Sequence, residues 1–448
     1  MKPPAPAPGS APVAAPSLLS GGGLRVPGRL SGPALLCLVF LPFALGHYLS
    51  CLLRTVNAVL APQLVEAAAL TPGDLGVLTS AYFLAFAVAQ LPVGIALDRF
   101  GPRLVQFPML LLAAVGTMAF AFSSDFAQML AARTVMGLGL GGCFMAAVKA
   151  LSTWMPAARL PSVQGYLIAV GGLGAASSTL PVRVFLHHAQ WRSLFIALAL
   201  ACVVAALLVL LLAPTPATPE GPDGMNEPKP PVRMAVYAEV FRHAAFRETA
   251  AVVLVPHTVF FGLQGLWIGR WLTDAGRFPE QDVAWLLAIG MAAVIAGAIA
   301  VGKVTEWAAR RGVDAITVAA VGVSLFILVQ CGFALGWQPG FPMLAVLFTL
   351  VGTITGIEYT IVAQALPPAL TGRASTCLNL LIFTGAFIVQ AGFGLLIGLW
   401  QPDAAQRYPA AAYQAAFFVL LLLQMPGIAW FAWRRRRLPC ANPVESVL

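Results

Sequence analysis

The sequence is short of charge. Only 10% of its 448 residues are Asp, Glu, Lys or Arg, whereas 59% are hydrophobic. Soluble domains typically carry about 25% charged residues, because a surface that faces water needs them. So few charges cannot cover a soluble protein of this length. Most of the surface must therefore face lipid, and the lipid bilayer is the first partner that we predict.

Several chemical signatures are also missing. The seven cysteines show no paired spacing and lie mostly inside apolar segments, so they indicate neither a disulfide framework nor a metal site. We find no nucleotide-binding loop, no metal-ligand cluster and no nucleophile with its base. We therefore predict no enzyme activity, no catalytic residues and no cofactor or metal. The net charge of +9 does not indicate nucleic acid, because the basic residues lie in short loops between apolar runs.

What the chain has instead is a succession of long apolar runs. A helix needs roughly 20 apolar residues to cross about 30 Å of hydrocarbon, and backbone groups in lipid must be satisfied internally. The runs are too long and continuous for barrel strands. They predict an all-α integral membrane protein with twelve transmembrane helices. The predicted spans are 34–60, 75–97, 104–123, 127–151, 162–183, 193–213, 249–272, 282–303, 313–335, 341–365, 374–398 and 410–432.

The longest polar interruption divides these runs into two sets of six. It begins near Pro214 and ends near Glu248, and it is rich in Pro, Gly and charged residues. We expect a short surface helix in it around Val236–Arg247. The predicted organisation is a disordered cytoplasmic tail (1–33), an N-terminal bundle (34–213), a cytoplasmic linker (214–248), a C-terminal bundle (249–432) and a basic cytoplasmic tail (433–448).

Lys and Arg are unevenly divided between the two ends of the spans. One end receives most of them, including the run Arg434–Arg437, whereas the other receives Arg192, Arg277, Arg407 and a few residues near span ends. Loops rich in Lys and Arg stay on the cytoplasmic side. Both termini are therefore predicted to be cytoplasmic, in a multi-pass protein of the bacterial inner membrane that we expect to be a monomer.

Two similar motifs stand at the same place in each half, after the second and the eighth span. In both, a glycine is followed four residues later by an acid and then by basic residues. The glycines are 302 − 94 = 208 residues apart, close to half the chain. A match in spacing and in topological position indicates two related halves. The motif residues are Gly94, Asp98, Arg99 and Arg103 in the first half, and Gly302, Glu306 and Arg310 in the second.

These motifs resemble those of the Major Facilitator Superfamily. Gly94–Arg103 resembles the superfamily's loop 2–3 signature, and Gly302–Arg311 resembles its degenerate echo in loop 8–9. The segment Arg133–Gly141 resembles the fourth-helix motif, whose arginine is associated with proton coupling. The resemblance covers about residues 34–432. It implies two pseudo-symmetric six-helix bundles around a central cavity that opens alternately to each side.

The glycine–acid–base motifs predict a conformational latch. Gly94 lets two backbones approach at the cytoplasmic face, and Asp98 can then lie at the N-terminus of the eleventh helix, around Thr371–Ser375, where a carboxylate complements the helix dipole. Arg99 and Arg103 can pair with acids or lipid phosphate. The set would hold an outward-open state. The alternative is that these are ordinary loop charges that follow the positive-inside rule.

Ionisable residues inside spans are costly and indicate function. Arg54 lies late in the first span. If that span ends near Leu60, Arg54 reaches the outer interface; if the helix continues to Leu64, Arg54 lies nearer the midplane and can face the cavity. We predict that Arg54 binds the substrate.

The surroundings of Arg54, from Tyr48 through Pro62 to Gly73-Asp-Leu-Gly76, resemble the first helix and following loop of the organophosphate–phosphate exchangers. In that family an arginine here binds the substrate's phosphate. The family's partner arginine on the seventh helix has no clear match at the same depth, where this sequence offers Gln264. A smaller anionic group, such as a carboxylate or nitrate, fits a single arginine equally well.

Glu358 is the only acid well inside a span. A lone ionised carboxylate there would be expensive, so Glu358 must be protonated or paired. We predict that it carries a proton during transport. The alternative is a structural ion pair, with Lys149 as a candidate partner. Arg133 of the fourth-helix motif joins Glu358 in the predicted proton-coupling set.

Two histidines and three amides complete the set of candidates. His47 and His257 occupy equivalent positions in the first and seventh spans. Histidine titrates near neutral pH, so either could take part in proton transfer, and packing is the alternative for both. We place His47 with the proton-coupling residues. We place His257 with the substrate-binding ones, together with Gln90, Gln264 and Asn379.

These observations predict a secondary active transporter of a small solute, with an organic or inorganic anion as the expected substrate. Energy would come from an ion gradient, with H⁺ coupling through Glu358. The alternative is a membrane sensor or receptor that retains the transporter fold without transporting.

Overall fold

The structure, a computed structural model, describes residues 25–26, 32–155, 160–216, 235–337 and 340–437. Within these ranges the chain is almost entirely helical, apart from two short strands, β1 (Arg25–Val26) and β2 (Thr215–Pro216), which pair in parallel. The helices of the first half are α1 (Gly32–Leu35), α2 (Leu41–Thr55), α3 (Asn57–Ala68), α4 (Pro72–Phe122), α5 (Phe126–Leu140), α6 (Cys143–Trp154), α7 (Leu160–Ser177), α8 (Leu180–His188) and α9 (Trp191–Leu212).

The second half has ten further α-helices. A π-helical turn, Ala250–Leu254, joins α11 to α12, and a 3₁₀ turn, Thr353–Gly356, joins α16 to α17. The helices are α10 (Ala235–Arg242), α11 (Ala244–Thr249), α12 (Val255–Gln264), α13 (Trp267–Asp274), α14 (Glu280–Ala309), α15 (Ala315–Ala334), α16 (Phe341–Gly352), α17 (Ile357–Ala365), α18 (Pro368–Ile397) and α19 (Ala410–Arg437).

Eleven helical stretches within the described ranges are long and apolar enough to cross a membrane. One of them, α4, has 51 residues, which corresponds to about 77 Å and exceeds twice the thickness of the hydrocarbon. Its backbone breaks at Gly101, where φ is +80°. Side chains strongly disfavour that conformation, so glycine is required there. Thus α4 supplies the second and third spans, and the predicted total of twelve is reached.

Three boundaries differ from those expected from hydrophobicity. The first helix continues through α3 to Ala68, and the seventh span begins earlier, at Ala244. The last helix, α19, runs on through the arginine run to Arg437. Helical hydrogen bonds continue where a helix leaves the hydrocarbon, so hydropathy alone underestimates helix length. The expected surface helix corresponds to α10 and the first turn of α11, whereas most of the predicted N-terminal tail and residues 438–448 lie outside the described residues.

The helices of each half pack on one another as a six-helix bundle. In the first half α2 packs on α6, α7 and α9, and α4 packs on α5 and α9; in the second, α14 packs on α16, and α15 packs on α16 and α19. The two bundles meet along α4 and α18, and also where α7 and α8 contact α14 and where α3 contacts α13.

The assembly has two ends, one of which contacts the linker between the two halves. The linker face is the end at which α10 packs on α18, with Tyr237 and Val240 buried against Leu370 and Ala374. The far face is the opposite end, where α4 begins at Pro72 and α14 begins at Glu280.

At the far face the bundles are in close contact. A Cβ atom on Gly76 of α4 would lie 2.9 Å from the carbonyl oxygen of Gln390 in α18, so only glycine allows this approach. The indole N–H of Trp267 donates to the same carbonyl at 2.9 Å. An ion pair between Arg183 of α8 and Glu280 of α14 also joins the bundles. The structure is therefore closed at the far face.

Candidate functional site

One face of α2 carries Arg54 and His47. These residues and Cys51 follow each other at spacings of four and three, which places them on one side of a helix. The Cys51 sulfur lies 3.8 Å from Nε2 of His47 and 3.9 Å from Nη2 of Arg54. Because the helix continues through α3 to Ala68, Arg54 lies about 21 Å before its end. The longer helix matches the alternative in which Arg54 lies nearer the midplane.

The equivalent helix of the second half presents His257, Phe261 and Gln264 at the same spacing. The guanidinium carbon of Arg54 lies 5.1 Å from the centre of the Phe261 ring, a cation–π contact between the bundles. The ring of His257 is 5.0 Å from that of Phe261. The faces that carry the two histidines therefore meet at Arg54 and Phe261.

Glu358 is paired with His257. The Nδ1 atom of His257 lies 2.6 Å from Oε1 of Glu358, and the side chains are only 4% and 0% exposed. Glu358 is in the first turn of α17, directly after the 3₁₀ turn. Its second oxygen, Oε2, is buried with no hydrogen-bond partner in the part of the chain that the structure describes. The arrangement can hold a proton between the two groups.

The suggested pairing of Glu358 with Lys149 is wrong. Nζ of Lys149 lies 2.8 Å from Oδ1 of Asp98, and both side chains are about half exposed. Lys149 is near the linker end of α6, where its flexible side chain reaches the loop between the second and third spans. The sequence could not decide between Asp98 and Glu358 as the partner of Lys149, because each of these acids lies on a different helix from Lys149.

A hydrogen-bonded chain connects the bundles beside this pair. The hydroxyl of Tyr359 donates to Oδ1 of Asn379, and Nδ2 of Asn379 donates to Oε1 of Gln90 at 3.3 Å. Nε2 of Gln90 donates in turn to the carbonyl of Gly141 at 2.9 Å. The structure thus brings together Asn379 and Gln90, which the sequence analysis named separately. Tyr359 was missed, although its position next to Glu358 was a usable signal.

Aromatic rings line the boundary between the bundles near Arg54. The ring of Phe383 in α18 lies 5.5 Å from Phe261 and 4.3 Å from Phe86 of α4. Phe83 stacks on Phe383 at 5.9 Å. Phe86 and Phe383 were not among the predicted residues, because nothing in an apolar run distinguishes an interface phenylalanine from one that faces lipid.

Arg133 is separate from the Glu358 pair. It is fully buried, and its Nη1 donates to the carbonyl of Leu53 at 2.9 Å. The guanidinium lies between the rings of Tyr82 and Phe120, at 5.6 and 5.9 Å. Within the described residues it has no acidic partner, and its Nε and Nη2 atoms have no hydrogen-bond partner. Arg133 therefore fixes the backbone next to Arg54, and its role in proton coupling stays a prediction.

His47 and Gln264 have different surroundings from the other candidate residues. His47 contacts Phe144 with ring centres 5.0 Å apart and packs against Gly171. Gln264 is half-buried at the last residue of α12, where the seventh span breaks. Neither residue contacts an acid in the described part of the chain.

The two latch motifs have different surroundings. Arg103 donates from Nε and Nη2 to the carbonyl of Leu210, at the C-terminal end of α9, where a cation is favoured. Arg99 is exposed, with its guanidinium 5.2 Å from the ring of Phe100. Gly94 faces Met145 and the hydroxyl of Tyr237.

In the second half the motif residues Gly302, Glu306 and Arg310 are all exposed. A Cβ on Gly302 would have no atom within 4 Å. Asp98 and Arg373 both lie near Tyr237. Asp98 is therefore close to the start of the eleventh helix, where it was predicted to lie. The latch itself remains a prediction.

The sequence profile described as the Major Facilitator Superfamily matches residues 43–390. The chain belongs to this superfamily. Its fold is also that of a solved structure, a bacterial homologue of the human lysosomal transporter Spinster in an inward-facing, unoccupied conformation. The TM-score is 0.71 at 17% identity, and the match covers 91% of this chain and 98% of the other. The predicted family and the predicted twelve-helix fold are confirmed.

Curated relatives of this superfamily chain are named as transporters. A probable sulfoacetate transporter of Cupriavidus necator is 32% identical over 154 residues, which cover 34% of this chain and 36% of the relative. A probable L-galactonate transporter of Escherichia coli is 25% identical over 305 residues, 64% of each chain. The chain thus spans between about a third and two thirds of the length of these relatives. The comparisons group it with transport proteins and not with enzymes, as predicted.

Proposed function

We propose that this superfamily member is a secondary active transporter that moves a small anion together with H⁺ by alternating access. The observation that carries the proposal is the placement of Arg54 and the His257–Glu358 pair on the facing helices α2, α12 and α17. A cation for the anion and a buried acid for the proton lie on opposite sides of the bundle boundary.

Arg54 supports an anionic substrate. The Arg54 side chain is half-buried, and within the described residues its guanidinium makes a cation–π contact with Phe261 and a long contact with the Cys51 sulfur. Neither partner neutralises its charge. A guanidinium binds carboxylate, sulfonate or phosphate oxygens through two parallel hydrogen bonds. The substrates for which the two relatives are named, sulfoacetate and L-galactonate, are both anions.

The His257–Glu358 pair supports proton coupling. A carboxylate and an imidazole this deep in a membrane protein stabilise each other when they share a proton, and burial makes further charge costly. The groups that face the pair are the ring of Tyr359, from the helix that carries Glu358, and the ring of Phe261 from α12. A proton on the pair and a monoanion on Arg54 would cross together without net charge.

The distribution of charge supports the orientation. The linker face carries Arg99, Arg310, Arg311 and the arginines at the end of α19, so we propose that this face is cytoplasmic and that the far face is the outside of a bacterial inner membrane. On this orientation, the closed far face is the outward gate.

Uptake by proteoliposomes that contain the full chain tests the proposal. The probes are radiolabelled sulfoacetate, L-galactonate and glycerol 3-phosphate, with galactose as the neutral comparison. We expect at least one anion to accumulate when the outside is acidic, and galactose not to do so. Uptake that is insensitive to the pH gradient would overturn the coupling. No anion uptake by folded protein would favour the non-transporting sensor instead.

Arg54→Gln tests the substrate site. Loss of one charge-assisted interaction should reduce anion uptake by at least about tenfold. The matched control is Arg277→Gln, because Arg277 is an exposed arginine whose partner is Asp403, on the far face. Its uptake should equal that of the wild type. If Arg54→Gln transports like the wild type, Arg54 does not bind the anion.

A further inference from the structure

A pair of arginines lies in a cleft between the bundles at the far face. Arg183 comes from the first bundle, and Arg270 from the second. The cleft is narrow in this closed state, with a cavity of about 20 Å³ that is lined on one side by Val59 and Pro62. This is room for about one water molecule. The two arginines therefore stand at the boundary that must part for a solute to reach Arg54 from this side.

Both arginines are paired with acids that have other stabilising partners. Arg270 donates to Oδ2 of Asp274 at 3.2 Å, and the same oxygen accepts a hydrogen bond from the Tyr413 hydroxyl at 2.7 Å. Arg183 pairs with Glu280, which is the first residue of α14. A carboxylate at that position is favoured by the helix dipole even without an arginine. Glu280 can therefore release Arg183 at small cost, whereas Arg270 stays paired with Asp274, whose side chain is fully buried.

The Arg183–Glu280 contact is also exchangeable because water reaches it. The two side chains are 21% and 44% exposed. Ion pairs that contact solvent contribute little net stability, typically below about 1 kcal/mol. An anion with two or three oxygens can occupy the guanidinium of Arg183 in a bidentate manner, which a single carboxylate oxygen does not.

From these contacts we infer that the far-face cleft is a second anion site, at which the substrate's carboxylate, sulfonate or phosphate displaces Glu280 from Arg183, with Arg270 beside it, before it reaches Arg54. Binding there removes an ion pair that joins the bundles, so capture of the anion and opening of the far face are one event. The inference rests on the proposed anion transport and adds a site to it.

Initial-rate uptake of the transported probe anion (sulfoacetate, L-galactonate or glycerol 3-phosphate) from the far-face side tests the inference. Arg183→Gln should raise KM by about threefold or more with little change in the maximal rate, and Arg270→Gln should act in the same direction. Glu280→Gln should lower KM, because the anion no longer competes with a carboxylate. Arg183→Lys should recover part of the affinity, and Arg277→Gln, outside the cleft, should equal the wild type.

The inference predicts that Arg183→Gln and Glu280→Gln shift KM in opposite directions, which a purely structural ion pair does not. If the pair is only a structural clasp, Arg183→Gln and Glu280→Gln both remove it and must shift KM in the same direction, which would overturn the inference. An unchanged KM for Arg183→Gln would also overturn it while leaving the proposed function intact. If the wild type transports none of the three probes, the proposed function fails, and the second site falls with it.

Discussion

Glu358 and Arg54, an acid and a base, lie in the middle of an apolar molecule and have different partners. Glu358 is held by His257 at 2.6 Å, whereas Arg54 lies over the Phe261 ring at 5.1 Å. Both rings belong to α12, so one helix face of the second bundle touches both charged groups. The two groups therefore contact ring side chains that are one turn apart on the same helix face.

Glu358→Gln should separate transport from its proton drive. The amide has the shape of the acid but cannot release a proton, so accumulation driven by an acidic outside should fall to the level without a gradient. Anion-for-anion exchange, which moves no net proton, should persist. Uptake and counterflow measured on the same liposomes check this. The control is Glu239→Gln, which alters an exposed acid of α10. Full gradient-driven accumulation by Glu358→Gln would refute the assignment.

Tyr359→Phe should lower stability. Without the hydroxyl, the side-chain amide oxygen of the half-buried Asn379 loses its donor, which costs about 1 kcal/mol. Thermal unfolding of the purified protein measures the change. Tyr166→Phe, on a side chain that is 65% exposed, should have no effect. Equal unfolding temperatures for the two variants would mean that the bond to Asn379 contributes nothing.

At the scale of elements, the two glycines of the repeated motifs have unequal surroundings. Both mark the linker-side end of a span, and their spacing identified the duplication. The reversal between the second and third spans takes place at Gly101, with its φ of +80°, seven residues after Gly94. Gly302 lies within α14 in open space. The turn after the second motif also contains a glycine with positive φ, Gly312 at +73°, so both halves place a conformational glycine after the motif.

Substitution by alanine should distinguish Gly101 from Gly302. Gly101→Ala forces a side chain into a backbone region that is nearly exclusive to glycine, and it should destabilise the protein by about 1–3 kcal/mol. Gly302→Ala should be neutral or stabilising by up to about 1 kcal/mol, because alanine favours a helix interior. Chemical or thermal unfolding of both purified variants provides the comparison. A stable Gly101→Ala protein would contradict the stated backbone conformation.

The elements were largely predictable, whereas the contacts between them were not. Hydropathy and the 208-residue repeat determine the number of helices and the two halves. They cannot show that α3 extends the first helix to Ala68, because residues beyond the apolar run carry no hydropathy signal. The partner of Glu358 was not identifiable either. Lys149 was the candidate that the sequence offered, and only the packing of α12 on its neighbours brings His257 within 2.6 Å.

For the whole molecule, the closed far face depends on close approach of α4 and α18. Trp267 fills the space beside Gly76 and bonds to the Gln390 carbonyl, so a larger residue at position 76 cannot be accommodated without moving a helix. Opening of the far face requires these backbones to separate and the Arg183–Glu280 pair to break, because both contacts join the two bundles at this face.

Gly76→Ala should shift the protein towards an open far face. A Cβ atom 2.9 Å from a backbone oxygen must displace it, and overpacking of about 1 kcal/mol would raise the open population roughly fivefold. The rate at which a membrane-impermeant maleimide labels a cysteine introduced in place of Thr273 reports the opening. Gly165→Ala, in open space on α7, is the control. Equal labelling rates would show that the Gly76 contact does not hold the face closed.

The two equivalent histidines, His47 and His257, have different partners in the two bundles. His47 contacts a thiol and lies on the face that bears Arg54, whereas His257 contacts an acid. Under the proposed function, one bundle holds the anion and the other holds the proton. Neither the anion nor the proton alone fills the sites of both bundles. The change between the outward-open and inward-open states is therefore favoured only when both sites are filled. A carrier of this kind would not dissipate the gradient by leaking protons.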